Sequence, residues 1–148
     1  MAELKRVLFV DDELENVSAV CQILTEADII VEQVTTVRAA VEALQQRTFN
    51  LLVTDIFIPM GSTPEAIMGP RARRYIDNLR HLGGLALLDE IERMDAPPIV
   101  LAHTACTDYA LIEILGDHVS ERVPKPAPVD TLLQAVMRAL SPPKDWTL

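Results

Sequence analysis

Leu51-Leu52-Val53-Thr54 runs straight into Asp55, and Pro59 follows four positions later. A short apolar run between Asn50 and Pro59-Met60-Gly61 has the length and flanks of a strand buried on both faces of a parallel sheet. Such a strand must be covered by helices on either side. Its last residue puts a carboxylate at the strand's carboxyl end, the edge at which open α/β sheets bind ligands. One stretch therefore constrains both the fold class and the place to look for chemistry.

The remaining chain supplies the partners this strand needs. Val7-Leu8-Phe9-Val10 predicts a first buried strand, stopped by Asp11-Asp12-Glu13. Val17, Val20, Cys21 and Leu24 follow at spacings that share one helix face. Residues 29–34 predict a second strand, and Thr36 the N-cap of a helix burying Val37, Ala40, Val41 and Leu44. With the Asp55 strand this is βαβαβ, a parallel sheet with right-handed crossovers. After Gly83-Gly84, Leu85, Leu88 and Ile91 mark a helix ended by Pro97-Pro98. Residues 99–102 form a fourth strand running into His103-Thr104-Ala105. Ala110, Leu111, Ile114 and Leu115 mark a helix stopped by Gly116, and a fifth strand around Arg122-Val123 ends in Pro124-Lys125-Pro126. Val129, Leu132, Leu133, Val136, Met137 and Leu140 complete the apolar stripe of a last helix, which Ser141-Pro142-Pro143 terminates. The expectation is five strands and at least five helices.

Length and composition narrow the function classes. A chain of 148 residues, 49% hydrophobic, is expected to fold as one domain without a disulfide or metal staple. A net charge of −9 makes nucleic acid a poor partner for its surface. Cys21 and Cys106 lie far from any CxxC pattern and read as free thiols in a reducing compartment. The N-terminus shows neither a signal peptide nor a membrane span, so a cytoplasmic location is expected. One segment departs from this acidic character: Arg71, Arg73, Arg74 and Arg80 cluster between 61 and 82, where the strand–helix rhythm breaks. Their plainest reading is a solvated helix face whose Arg stems cover apolar surface.

Asp11, Asp12, Asp55, Thr104 and Lys125 each follow an apolar run, and in a parallel sheet all such ends share one edge. Singly, each is more often a turn or cap residue; their joint occurrence is the signal. Three carboxylates at one point repel each other unless a cation joins them. Hard oxygen donors suit Mg²⁺ better than zinc, for which the Cys/His set is missing, and His81, His103 and His118 show no metal spacing. Beside Mg²⁺, an aspartate carboxylate can attack a phosphoryl donor to give an acyl phosphate, with Lys125 and the Thr104 hydroxyl positioned for the phosphoryl oxygens.

The motifs VLFVDDE, LLVTDIFIP, PPIVLAHTA and VPKP, in that order and spacing, resemble the receiver domain of two-component response regulators. The resemblance covers 1–141, apart from an insertion at about 61–82, and leaves 142–148 as a C-terminal tail. It implies a flavodoxin-like, doubly wound five-stranded parallel sheet of order 2-1-3-4-5, with the insertion following strand 3. Asp55 would be the phosphoacceptor, Asp12 a direct Mg²⁺ ligand and Asp11 a ligand through water. The main-chain carbonyl of Phe57 and Asp55 itself would complete the protein's ligands. Thr104 would be the switch hydroxyl, Lys125 the phosphate-binding lysine and Lys125-Pro126 a cis peptide. The implied partners are a histidine kinase or histidine phosphotransfer protein and a downstream protein target. No membrane contact is implied, and no attached DNA-binding module is expected after the last helix. Monomer and homodimer both remain open. The implied role is that of a single-domain signalling protein, not a turnover enzyme.

The chain also departs from the family pattern. The insertion is expected to sit beside the phosphoacceptor as a lid, its arginines meeting phosphate or an acidic partner. The position three before Lys125, commonly aromatic in the family, is Arg122, so coupling of Thr104 to an aromatic side chain does not carry over. Phe57 and Cys106 flank the site, and a bulky Phe57 is expected to hinder hydrolytic water. Two other readings bear on the same residues. A receiver-like module could dock a partner without phosphorylation. A Mg²⁺-dependent phosphohydrolase would resemble Asp-x-Asp proteins, but the place of the second Asp is Phe57, which cannot move a proton.

Overall fold

Five of the apolar runs become strands: β1 (Arg6–Val10), β2 (Ile30–Val34), β3 (Leu51–Thr54), β4 (Ile99–Thr104) and β5 (Glu121–Pro124). They belong to a computed structural model that describes residues 4–58, 83–105, 113 and 119–141. All neighbours pair in parallel, in the order β2-β1-β3-β4-β5. This is the doubly wound sheet expected from the sequence. Parallel neighbours cannot be joined by tight hairpins, and the crossovers carry helices. They are α1 (Ser18–Glu26), α2 (Val37–Gln46), α3 (Gly83–Glu92) and, after β5, α4 (Val129–Leu140).

Side-chain alternation along each strand splits the core into two layers. Val7, Phe9, Leu51, Val53 and Leu101 pack with α1 and α4. Leu8, Val10, Leu52, Val100 and Ala102 pack with α2 and α3. The central strands are therefore buried at nearly every position, whereas β2, at the sheet edge, is only half-buried. Each fully buried Leu, Val or Phe contributes about 1.5–3 kcal/mol, so this sandwich anchors the strand ends firmly.

Local chemistry accounts for most boundaries. Thr36 caps α2, its Oγ1 accepting from the Ala39 N–H at 3.1 Å. Val41, expected inside, is only half-buried, and Ala43 is buried instead; the small Ala40 and Ala43 let α2 lie close to the sheet. Helix α3 ends at Glu92, ahead of the two prolines expected to end it. Its last turn tightens as Arg93 N donates to Glu90 and Met94 N to Ile91, both at i to i−3. On α4, Val129 and Met137 stay 44% and 41% exposed, while Leu132, Ala135, Val136 and Leu140 are buried. A helix lying on a sheet buries one stripe, and Ala135 belongs to it. Cys21 is buried in α1, and burial pushes its thiol up to about 12, far from reactivity. The insertion at 61–82, the tail at 142–148, Cys106 and the helix at 110–115 (bar residue 113) lie outside the described residues. Among the described residues, no helix is long and apolar enough to cross a membrane.

Candidate functional site

Parallel strands of matched register end together, and here they end in polar residues. Val10 lies opposite Thr54, and Thr54 opposite Ala102. The next residues, Asp11, Asp55 and His103, therefore form one row across three strands. Lys125 leaves β5 just past Pro124, which lies opposite Thr104. Its backbone N–H donates to the Thr104 carbonyl at 3.0 Å, and its peptide bond to Pro126 is cis, as the resemblance implies.

The side chains converge. Lys125 Nζ donates to Asp11 Oδ2 at 2.6 Å and to Asp55 Oδ2 at 2.8 Å. Both carboxylates are buried, Asp11 at 1% and Asp55 at 6% exposure. Burial alone would push the lysine's pKa down, but hydrogen bonds and charge from Asp11 and Asp55 outweigh it and hold it above its ordinary value. The other carboxylate oxygens are held by backbone: Glu13 N–H donates to Asp11 Oδ1 at 2.9 Å, and Phe57 N–H to Asp55 Oδ1 at 3.1 Å. Asp12, next in the chain, points out and is exposed. One oxygen from each of Asp11, Asp12 and Asp55 lies within 4.8 Å of the others.

Three carboxylates against one ammonium leave the site negative. An all-oxygen donor set with one exposed member suits a hard, partly hydrated divalent cation such as Mg²⁺. The donors fit that ion. The residues open onto a cleft of about 450 Å³, also lined by Glu13, Asn16, Phe57 and Ala127. An anionic ligand entering it would meet Lys125 beside carboxylates held in place by backbone N–H groups.

The structure brings Asp11, Asp12, Asp55, Phe57 and Lys125 to this cleft. Thr104 is fully buried and, by alternation, shares its side of β4 with Ala102 and Val100, away from the row of Asp55. Arg122, at the place commonly aromatic in receivers, is exposed on β5. The basic insertion falls outside the described residues.

Two residues of the site were not singled out from sequence. A Cβ on Gly84 would stand 2.5 Å from the Asp55 carbonyl oxygen and 2.6 Å from Ile56 Cα. The first turn of α3 thus presses on the backbone that carries Asp55, and Gly84 N–H donates to the Ile56 carbonyl at 2.9 Å. The pair Gly83-Gly84 was the visible signal, placed ahead of the helix; the structure puts it in the helix's first turn. The other is His103, which lines the cleft. Its signal was a polar residue in step with Leu101, on the inward parity of an apolar strand.

No family model matches the chain, and no curated protein matches its sequence. Solved structures do match its fold. A CheY-like response regulator receiver domain from Methanospirillum hungatei superposes with a TM-score of 0.70 at 20% identity, over 93% of this chain and 94% of that one. The non-phosphorylated HemR receiver domain of Leptospira biflexa gives 0.70 and 20% over 93% and 94%. A chemotaxis response regulator of Vibrio cholerae gives 0.69 and 20% over 93% and 100%. The chain therefore has the fold of these receiver domains over nearly its whole length.

Proposed function

We propose that this chain is a response-regulator receiver that accepts a phosphoryl group on Asp55 and signals through protein contacts. The observation that carries this is the buried lysine bridging two carboxylates, with a third within reach, at the carboxyl edge of a receiver-type sheet. In the transfer, an Asp55 carboxylate oxygen forms a bond to phosphorus as the P–N bond of a phosphohistidine breaks. The leaving imidazole takes up a proton, and Asp55 becomes an acyl phosphate. Asp11, Asp12, Asp55 and the Phe57 carbonyl would hold Mg²⁺, which when bound neutralises charge on the phosphoryl oxygens. Lys125 supplies a second positive charge and, tied to Asp11, is oriented before the phosphoryl group arrives. The Phe57 N–H fixes the Asp55 rotamer, so the nucleophile is aimed without further ordering.

The donor in this reading is a histidine kinase or histidine phosphotransfer protein, and the output is a changed affinity for a protein target. Thr104, buried on the other side of β4, serves as the switch hydroxyl in this reading by turning toward Asp55 once the phosphoryl group has formed. With Arg122 exposed on β5, the switch proceeds without an aromatic partner at that place. Intact mass after incubation with a small-molecule phosphodonor tests the reading. Wild type should gain one phosphoryl group only with Mg²⁺, and Asp55→Asn none. No gain in folded, Mg²⁺-binding protein would instead favour a docking module that works without phosphorylation.

A further inference from the structure

His103 is the one polar side chain of the cleft's buried row to which the chemistry above gives no task. It is 3% exposed, and among the described residues neither ring nitrogen has a hydrogen-bond partner. A neutral imidazole carries one N–H and one lone pair, and burying both unpartnered forfeits their hydration without return. Such an orphan at a functional cleft points to a partner acquired in another state.

The register identifies that partner. Thr54 lies opposite Ala102, so Asp55 and His103 are lateral neighbours, and alternation turns both to the side of Val53 and Leu101. Val123 lies opposite His103, and Lys125 follows two residues later on the same side. The ring is thus flanked by the phosphoacceptor and by the lysine that holds it. Its charged neighbours are Lys125 from β5, Asp11 from β1 and Asp55 from β3. Lys125 has three N–H groups, of which two donate to Asp11 and Asp55.

We propose that His103 is a positioning residue for Lys125, its ring lone pair accepting the third ammonium N–H when a phosphoryl group forms on Asp55. This rests on the phosphoacceptor reading. Acylation converts the Asp55 carboxylate from an anion into a neutral acyl group, so its charge-assisted bond to Lys125 weakens. The lysine follows the charge to the phosphoryl oxygens. Asp11 keeps a second N–H, and the adjacent ring nitrogen completes the ammonium's set. An apolar residue at 103 would deny the third N–H of Lys125 this acceptor.

The test uses full-length protein carrying isotope-labelled histidine, with imidazole nitrogen shifts and intact mass recorded on the same samples. His103→Leu identifies the His103 signals among those of the three histidines. On Mg²⁺ and phosphodonor, one His103 nitrogen should shift as expected for a new hydrogen bond accepted. His103→Leu should take up phosphoryl about three- to tenfold more slowly at saturating Mg²⁺, and His103→Gln, which keeps an acceptor, should recover most of that loss. A phosphorylated wild type with unmoved His103 shifts, or a Gln variant as slow as Leu, overturns the inference and leaves the phosphoacceptor reading standing. No mass gain in wild type overturns both. If the Leu variant does not fold, the shifts and the Gln variant decide.

Discussion

The same strands are finished in opposite ways at their two ends. At the amino ends one residue, Asn50, ties three strands together. Its Oδ1 accepts from Arg6 N–H at 2.8 Å, its own N–H donates to the Arg6 carbonyl at 2.8 Å, and its carbonyl accepts from Ile99 N–H at 3.2 Å. Close by, Arg47 donates to Glu32 at 2.9 Å, at the half-exposed margin of the sheet. Charges there are paired: even Arg47 Nε, buried and without a hydrogen bond among the described residues, stands 2.7 Å from a Glu32 oxygen. At the carboxyl ends, two buried carboxylates share one lysine, with an exposed third close by, beside an imidazole with no hydrogen-bond partner among the described residues. The sandwich that anchors both ends is the same, so the difference lies in the end residues alone. One end is built for stability, and the other carries like charges and an orphan that stability alone would remove.

The largest effect is expected where the fold presses on the site. Gly84→Ala puts a methyl 2.5 Å from the Asp55 carbonyl oxygen, and only backbone can yield. A loss of about 3 kcal/mol is expected in denaturant titrations, together with slower phosphoryl uptake. A variant as stable as wild type would show that α3 does not brace the phosphoacceptor.

A second test contrasts the two ends directly. Asn50→Ala removes the side-chain bond to the Arg6 N–H, leaves the two main-chain bonds in place, and should cost about 1 kcal/mol. Asp55→Asn relieves repulsion among carboxylates and, without Mg²⁺, should raise stability by about 1 kcal/mol despite weakening one Lys125 bond. Opposite signs at opposite ends are the expected pattern. A loss at both would mean that the carboxyl edge is as well satisfied as the amino edge.

The smallest effect is a pH slope. Burial first, and the Lys125 charge second, lower the His103 pKa below its ordinary 6.5, against the opposing pull of Asp11 and Asp55. The unfolded chain then binds the proton first as pH falls. The contribution is complete above about pH 6.5 and is lost as pH drops toward the folded value. Melting temperature should fall on acidification from about pH 7.5 to 5.5, and the fall should be shallower in His103→Leu. Parallel profiles would remove His103 as its source.

Much of this was legible in the chain. Apolar runs that stop at Asp11, Asp55 and Lys125 give a parallel sheet, and a parallel sheet gathers its carboxyl ends without further information. The Thr36 cap was equally readable, because its chemistry is local. What escaped depends on contacts between elements. Gly84 is needed because α3 comes down on the Asp55 backbone, which no periodicity records. His103 matters through its lateral neighbours, which follow only from the register of β3, β4 and β5. Val129 and Met137 sat in the pattern yet stay exposed: Met137 lies beyond the stripe that α4 buries, since a pattern gives a helix face without its width, and Val129 is the first residue of the helix.

The most direct measurement is reductive trapping of the phosphorylated protein with borohydride, followed by peptide mapping. Conversion confined to Asp55, dependent on Mg²⁺ and absent from Asp55→Asn, is the result expected of a phosphoacceptor at the carboxyl edge. Conversion at another aspartate, or none in protein whose intact mass shows a phosphoryl group, would contradict it.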